Sequence, residues 1–289
     1  MVRYMDTEQI KLAEELLFSE QKHLSAAKLL YWGKIQEDSF FPFPQGKKLS
    51  AEYLENLKKI LSIHLNPIQI DREATISDET IKALASTGLL GLSVPLEYSG
   101  LGMSQTAYCQ AIEEVSSRCG STAILINAHQ SIGLKGILLF GTKDQKERFL
   151  PALARGEQIA AFSLTEPNAG SDASGIETRA LYDPVRKVYI INGKKQWTSN
   201  GSIASVITLM AKTEIKTSKG VEDKVTAFII TPDMPGFQIT HPGLEKVGVR
   251  GTKTTNITLT NLEVPEENIL GPLGGGLKVC LTALDFGRV

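Results

Sequence analysis

Residues 160–172 read AAFSLTEPNAGSD, and residues 196–201 read QWTSNG. Both stretches are rich in small residues and hydroxyls, one holds an indole, and each falls where a strand is expected to end. Such a cluster can hold a flat, polar ring system that carries phosphate groups. The first stretch also follows a change of pattern, because apolar residues recur every ~3.6 positions before Gly156 and alternate with a period of ~2 after it.

The chain before Gly156 is predicted to be helical. Ser50 and Ser77 stand where N-caps are expected. The stretch SFFPFP predicts a loop over residues 40–44. The helix over residues 121–139 is apolar almost throughout, so we expect it to be central. The predicted helices cover residues 11–30, 51–63, 78–87, 105–117, 121–139 and 142–153.

The chain after Gly156 is predicted to form short strands separated by turn residues. These strands cover residues 177–181, 187–191, 205–211, 224–230, 236–240 and 256–262. Six short strands favour a small antiparallel barrel or a two-sheet sandwich. Helical spacing returns over residues 277–289. The expected fold class is therefore α+β and multidomain: a helical domain over residues 1–157, a β domain over 158–270, and the start of a third, helical domain over 271–289.

Composition excludes several functions. The 289 residues carry a net charge of −1, which gives no electrostatic reason to expect nucleic acid as a partner. No apolar run approaches the ~18–20 residues that span a bilayer, so no membrane span is expected. The three cysteines have no ligand spacing, so we expect core residues and no metal site. Without a secretion signal, the expected compartment is the bacterial cytoplasm, or the mitochondrial matrix if a transit peptide has been removed.

Several motifs in order carry a family resemblance. The segments LTEPNAGSD, QWTSNG, VPEENILG, GGGLKV and LDFGR are similar to signatures of the acyl-CoA dehydrogenase family, and the match covers nearly the whole chain. Residues 128–154, AHQSIGLKGILLFGTKDQKERFLPALA, and the N-terminal extension with SFFPFP resemble its very-long-chain branch. The resemblance implies an FAD cofactor, an acyl-CoA substrate, electron-transfer flavoprotein as electron acceptor, and a homodimer or homotetramer for the full-length protein.

The resemblance also implies roles for individual residues. Trp197 would cover one face of the flavin, and Ser171 would contact both the cofactor and the CoA part of the substrate. The implied cofactor contacts are Phe162, Leu164, Thr165, Gly170, Ser171, Trp197, Thr198 and Ser199. The implied substrate contacts are Ser171, Asp285 and Arg288. In the family the catalytic glutamate lies in the C-terminal helical domain, so the base is expected beyond Val289.

Two residues have alternative interpretations. Glu166 is a conceivable base, but its place between Thr165 and Pro167 favours a structural role. His129 lies on an apolar helix, where a hydrogen-bonded core histidine is expected, although it could instead line an acyl pocket. Two functions therefore stay open: the front part of an FAD-dependent dehydrogenase for long-chain acyl-CoA, or a non-catalytic module with a partial flavin or acyl-CoA surface or a partner-binding role.

Overall fold

The computed structural model describes residues 26–31, 33–35, 37, 41–42, 46–218 and 220–288. The chain divides into two compact units, Met1–Gly46 and Lys47–Val289. In the first unit, helix α1 spans Ala26–Tyr31 and overlaps the helix predicted over residues 11–30. The remainder of that helix, and most of the loop predicted over residues 40–44, lie outside the described residues.

The helices of the second unit largely follow the predictions. Ser50 and Ser77 accept hydrogen bonds from the backbone N–H groups of Tyr53 and Thr80, so both predicted N-caps are confirmed. One short helix, α3, was not expected; it begins at Pro67 behind the N-cap Asn66. The helices are α2 Ala51–His64, α3 Pro67–Glu73, α4 Asp78–Ser86, α5 Gln105–Ser116, α6 Gly120–Asn127, α7 Lys135–Phe140 and α8 Lys143–Ala154.

The apolar helix predicted over residues 121–139 is present but is interrupted. Helices α6 and α7 are joined by a π-helical turn, Ala128–Gly133. The stretch Gly120–Phe140 has 21 residues and contains an 18-residue window with a mean hydropathy of 1.3, so by length and composition alone it could cross a membrane, which the sequence analysis did not expect. Since 67% of that window is buried inside the protein, its surroundings are those of a core helix.

The β part of the described chain has eight strands: β1 Ala160–Ser163, β2 Arg179–Asp183, β3 Val188–Ser199, β4 Val206–Thr217, β5 Gly220–Ile230, β6 Phe237–His241, β7 Thr254–Pro265 and β8 Ile269–Leu270. All six predicted strands are present, and most of them are longer than predicted. The strands form one sheet in the order β6-β7-β3-β2-β4-β5-β8, with β1 beside β4.

Strands β1 and β8 are not among the six strands predicted from alternation, and the reason is the same for both. Strand β1 is buried along its whole length and strand β8 has two residues, so neither shows alternation. Strand β1 also pairs in parallel with β4, as does β2 through the single pair Arg179 and Lys212. The other pairings are antiparallel, which confirms an antiparallel-rich sheet after a helical region.

A last helix, α9, spans Gly276–Arg288 and confirms the helical spacing predicted over residues 277–289. Its buried residues Val279, Cys280 and Ala283 face the protein interior, and the first two join a core that includes α8, β1 and β5. The last helix before the sheet ends at Ala154 and the first strand begins at Ala160. Secondary structure therefore changes near the predicted domain boundary, while the boundaries themselves stay a prediction.

Candidate functional site

The two stretches singled out in the sequence meet in the structure. Strand β1 ends at Ser163 and strand β3 ends at Ser199, as expected. The backbone N–H of Gln196 donates to the carbonyl of Thr165 over 2.8 Å, which joins the two segments. We call residues 162–171 and 196–199 the strand-end site.

A β-bulge in strand β3 determines how Trp197 is presented. Lys195 pairs with Ile257 and Thr198 pairs with Thr255, so Gln196 and Trp197 together face one residue of β7. Trp197 has a φ of 59° and is 57% exposed. A bulky residue in the left-handed region is an outlier, and such strain is concentrated at functional sites. The bulge therefore holds an indole at the surface of the site.

Two predicted cofactor residues lie beneath this surface. Phe162 and Thr198 are buried, at 9% and 1% exposure. The Thr198 and Ser163 hydroxyls lie 2.9 Å apart and share a hydrogen bond. The side chains of Phe162 and Thr198 therefore form the floor of the site, and the hydroxyl of Thr198 is bonded to Ser163 within the protein.

The other predicted cofactor residues are open to a second molecule. Leu164, Thr165 and Ser199 are half-buried, and Gly170 and Ser171 are exposed. A Cβ added at Gly170 would meet no atom within 4 Å, so the space beside this backbone is free.

The loop that follows is held by its own side chains. The Asp172 carboxylate accepts hydrogen bonds from the backbone N–H groups of Ser174 and Gly175, both at 3.1 Å. It thereby caps the 3₁₀ turn Ala173–Gly175. Of the pair Ser171-Asp172, the cap is Asp172, and Ser171 stays exposed.

Glu166 forms a buried ion pair with Lys195. Their Oε1 and Nζ atoms are 2.6 Å apart, and Glu166 also accepts the backbone N–H of Thr178 at 3.1 Å. Burial raises the pKa of Glu166, but the charge and hydrogen bond of Lys195 and the backbone hydrogen bonds outweigh it and hold the pKa below its usual range. Burial lowers the pKa of Lys195 against the opposing effect of Glu166. The structural role expected for Glu166 is confirmed.

Sequence reasoning missed Lys195, although a signal was present. Tyr189 and Ile191 in strand β3 are buried, and Lys195 has the same parity along the strand. A lysine on the inward face of a strand requires a partner, because an unpaired buried charge is costly. That requirement could have pointed to Glu166.

His129 is a core histidine, as expected. The backbone N–H of Ala160 donates to its Nδ1 at 2.9 Å, so the ring proton is on Nε2, which donates to the carbonyls of Leu90 at 3.1 Å and Leu153 at 3.2 Å. Burial lowers its pKa to about 4 despite these two carbonyls. The neutral ring thus ties strand β1 to the helical region.

Of the two predicted substrate residues of α9, Arg288 lines a pocket of about 500 Å³ and Asp285 does not. Its wall is largely apolar and includes Ile112, Ala123, Ile124 and Gly287, with Arg288 at one side. Arg288 Nη1 lies 3.1 Å from the Asp285 carboxylate, and both side chains are exposed. Ser171 does not line this pocket. The volume is in the usual range for small-molecule sites.

Metal ligands are not grouped in the described part of the chain, where no three His, Cys, Asp or Glu residues could together hold an ion.

Comparison with known proteins gives two family matches. Residues 51–157 match the N-terminal domain of acyl-CoA dehydrogenases, and residues 161–262 match their middle domain. A mitochondrial very-long-chain-specific acyl-CoA dehydrogenase from Macaca fascicularis is 38% identical over 278 residues. The aligned region covers 93% of this chain and 42% of that relative, so the chain spans less than half of its length.

Solved structures agree with these matches. Butyryl-CoA dehydrogenase from Megasphaera elsdenii superposes with a TM-score of 0.77 at 33% identity, over 84% of this chain and 64% of that one. An acyl-CoA dehydrogenase from Bacillus anthracis, solved in complex with FAD, has a TM-score of 0.75 at 32% identity, over 84% of this chain and 42% of that one. With both domain matches in order and the helical and sheet regions in place, this chain belongs to the acyl-CoA dehydrogenase family.

Proposed function

We propose that this chain supplies the N-terminal and middle domains of an FAD-dependent acyl-CoA dehydrogenase. The reaction is α,β-dehydrogenation of long-chain acyl-CoA thioesters in fatty-acid β-oxidation, with electron-transfer flavoprotein as acceptor. The observation that carries the proposal is the exposed indole of Trp197, which a strained bulge holds next to Gln196, whose backbone is bonded to Thr165. The Bacillus anthracis relative was solved with FAD, which supports the choice of cofactor.

The residues of the strand-end site fit a flavin. The Trp197 side chain offers a flat apolar face for a ring system. Thr165 and Ser199 offer half-exposed hydroxyls, and the open backbone at Gly170 and Ser171 leaves room for phosphate groups. When bound, FAD would supply the acceptor for the hydride that leaves the β-carbon of the substrate.

Each residue has a task in this proposal. Trp197 excludes water from the flavin face that is turned away from the substrate. The backbone N–H groups at Phe162, Leu164 and Thr165, with the Thr165 hydroxyl, donate to the pyrimidine end, and Ser199 places the ring. Thr198 supports this arrangement from below through its bond to Ser163.

The substrate would be held by different residues. Ser171 contacts both cofactor and CoA, and Asp285 and Arg288 contact the acyl-CoA. The apolar pocket beside Arg288 is our candidate for the acyl chain. The preference for long chains rests on residues 128–154 and on the very-long-chain-specific relative.

The proton on the α-carbon needs a base that we do not find in the strand-end site. Glu166 is paired with Lys195, and Asp172 caps a turn. The family resemblance implies a base in the C-terminal helical domain, and we propose it there. This gives weight to the alternative proposal, in which the 289 residues act as a non-catalytic flavin or acyl-CoA surface.

Assembly and location are proposals of the same kind. A homodimer or homotetramer is proposed for the full-length protein. The relatives include mitochondrial and bacterial proteins, so the mitochondrial matrix and the bacterial cytoplasm are both proposed.

Tryptophan fluorescence tests the flavin site directly. The chain has two tryptophans, so Trp32→Phe leaves Trp197 as the single indole. We expect added FAD to quench the emission of this variant in a saturable manner. The matched variant Trp197→Phe keeps only Trp32 and should show no saturable quenching. Equal quenching of both variants, or of neither, would mean that the flavin is not placed on Trp197.

A further inference from the structure

We propose that Lys195 and Glu166 are positioning residues of the strand-end site, which hold the backbone of Leu164 and Thr165 in register with Trp197 for flavin binding. The inference rests on the proposed function, because the flavin is its object. Neither side chain contacts the surface itself: Lys195 is 1% exposed and Glu166 is 3% exposed. Their effect would therefore pass through the backbone groups that they bind.

The contacts of Lys195 connect the two halves of the site. Its Nζ donates to the Leu164 carbonyl at 3.0 Å and to Glu166 Oε1 at 2.6 Å. The next residue, Gln196, donates its backbone N–H to the carbonyl of Thr165 at 2.8 Å. Two consecutive residues of strand β3 thus hold two consecutive residues after strand β1. These parallel links set the position of Trp197 relative to Leu164 and Thr165.

Glu166 extends this connection to the far end of the loop. Its carboxylate accepts the backbone N–H groups of Glu177 and Thr178, just before strand β2. The exposed residues Gly170 and Ser171 lie inside the loop that these bonds close. One carboxylate therefore fixes both ends of the segment proposed to face the phosphate groups.

Stability alone is a weak reason for such a pair. Desolvation of two buried charges offsets much of their attraction, and a well-packed apolar pair is often equally stabilising or better. The pair differs from an apolar one in providing directed hydrogen bonds to three backbone groups, the carbonyl of Leu164 and the N–H groups of Glu177 and Thr178. A binding site needs such directed bonds from the buried residues behind it, because they hold the exposed groups in place.

The test uses the full 289-residue chain and the double variant Lys195→Met/Glu166→Gln. This variant removes both charges together, so no unpaired buried charge remains, while Gln can still accept backbone N–H groups. Lys135→Met is the matched control, because Lys135 is also a buried lysine, at 5% exposure, and bonds Ser93 rather than the strand-end site. Three quantities are measured: the Kd for FAD from Trp197 quenching, the hydrogen-exchange rate of the Gln196 amide, and the Tm.

We expect the double variant to stay folded, to bind FAD at least tenfold more weakly, and to exchange the Gln196 amide at least tenfold faster. The Lys135→Met control should change neither quantity, even where its Tm shifts. A folded double variant in which only one of these two quantities changes, or neither, overturns the proposal. If the double variant does not fold, Glu166→Gln alone carries the test: smaller changes in both quantities support the positioning role, and wild-type values overturn it.

The same data separate this proposal from the one it rests on. Absence of FAD binding by the wild-type chain counts against the flavin function and, with it, against the positioning role. Wild-type binding with unchanged binding in the variants counts against the positioning role alone.

Discussion

At the scale of single residues, the positive φ of Trp197 allows a substitution that removes the indole with little change in stability. Replacement by glycine removes the cost of the left-handed conformation, roughly 1–2 kcal/mol. It also raises the backbone entropy of the unfolded chain, which destabilises the folded protein by an amount of similar size. We predict that Trp197→Gly changes the free energy of unfolding by less than about 1 kcal/mol and abolishes saturable FAD binding, measured by flavin fluorescence. Val249→Gly is the control, because Val249 also has a positive φ, of 45°, but lies outside the strand-end site. A Trp197→Gly variant with wild-type FAD affinity would contradict the assignment.

His129 makes stability depend on pH. Its pKa is about 4 in the folded protein against 6.5 ordinarily, so the unfolded state takes up the proton first. The stabilisation is complete above pH 6.5 and is lost as the pH falls towards 4, by roughly 3 kcal/mol in total. We predict that His129→Gln is less stable at pH 7 and that its free energy of unfolding depends less steeply on pH in this window. Denaturant titrations from pH 7 to pH 4 would show parallel curves for the two proteins if the prediction is wrong.

At the scale of elements, the π-helical turn and strand β1 are in such close contact that a methyl group does not fit. A Cβ added at Gly133 would lie 2.8 Å from the Ala128 carbonyl oxygen and 2.8 Å from Ala160 Cβ. We predict that Gly133→Ala lowers the free energy of unfolding by about 1–3 kcal/mol, since the strand must move away. Gly120→Ala, in the same helical stretch, would place its Cβ 3.6 Å from Val249, an ordinary contact, and should be neutral. Chemical denaturation measures both; equal stability of the two variants would refute the close contact.

At the scale of the whole molecule, we predict that residues 1–289 alone do not dehydrogenate acyl-CoA at a useful rate. Among the acidic side chains between strands β1 and β2, Glu166 is in an ion pair, Asp172 caps a turn and Glu177 accepts hydrogen bonds from Asn168. A positioned base typically contributes about 10²–10⁴-fold. The measurement is anaerobic mixing of the chain, excess FAD and palmitoyl-CoA, followed by flavin absorbance. Rapid stoichiometric bleaching would show that a base exists within these residues, and Glu166→Gln would be the first variant to examine.

Much of the architecture followed from local patterns. The caps at Ser50 and Ser77, the apolar stretch of the central helix and the alternation of the long strands depend on near neighbours in the chain. The predicted meeting of residues 160–172 with 196–201 is confirmed by the bond between Gln196 and Thr165. The implied contacts of these residues with FAD stay a prediction, because they concern a second molecule.

What the sequence determined by itself is therefore the order of most helices and strands and the family, since both are written in spacing and short motifs. Tertiary structure alone decided which way the side chains of strand β3 face. Simple alternation puts Trp197 on the inner face with Ile191 and Lys195, but the bulge opposite Asn256 shifts the parity, so that Trp197 lies outside and Thr198 inside. A bulge depends on the register of the neighbouring strand, and register is a relation between distant segments that no local pattern encodes.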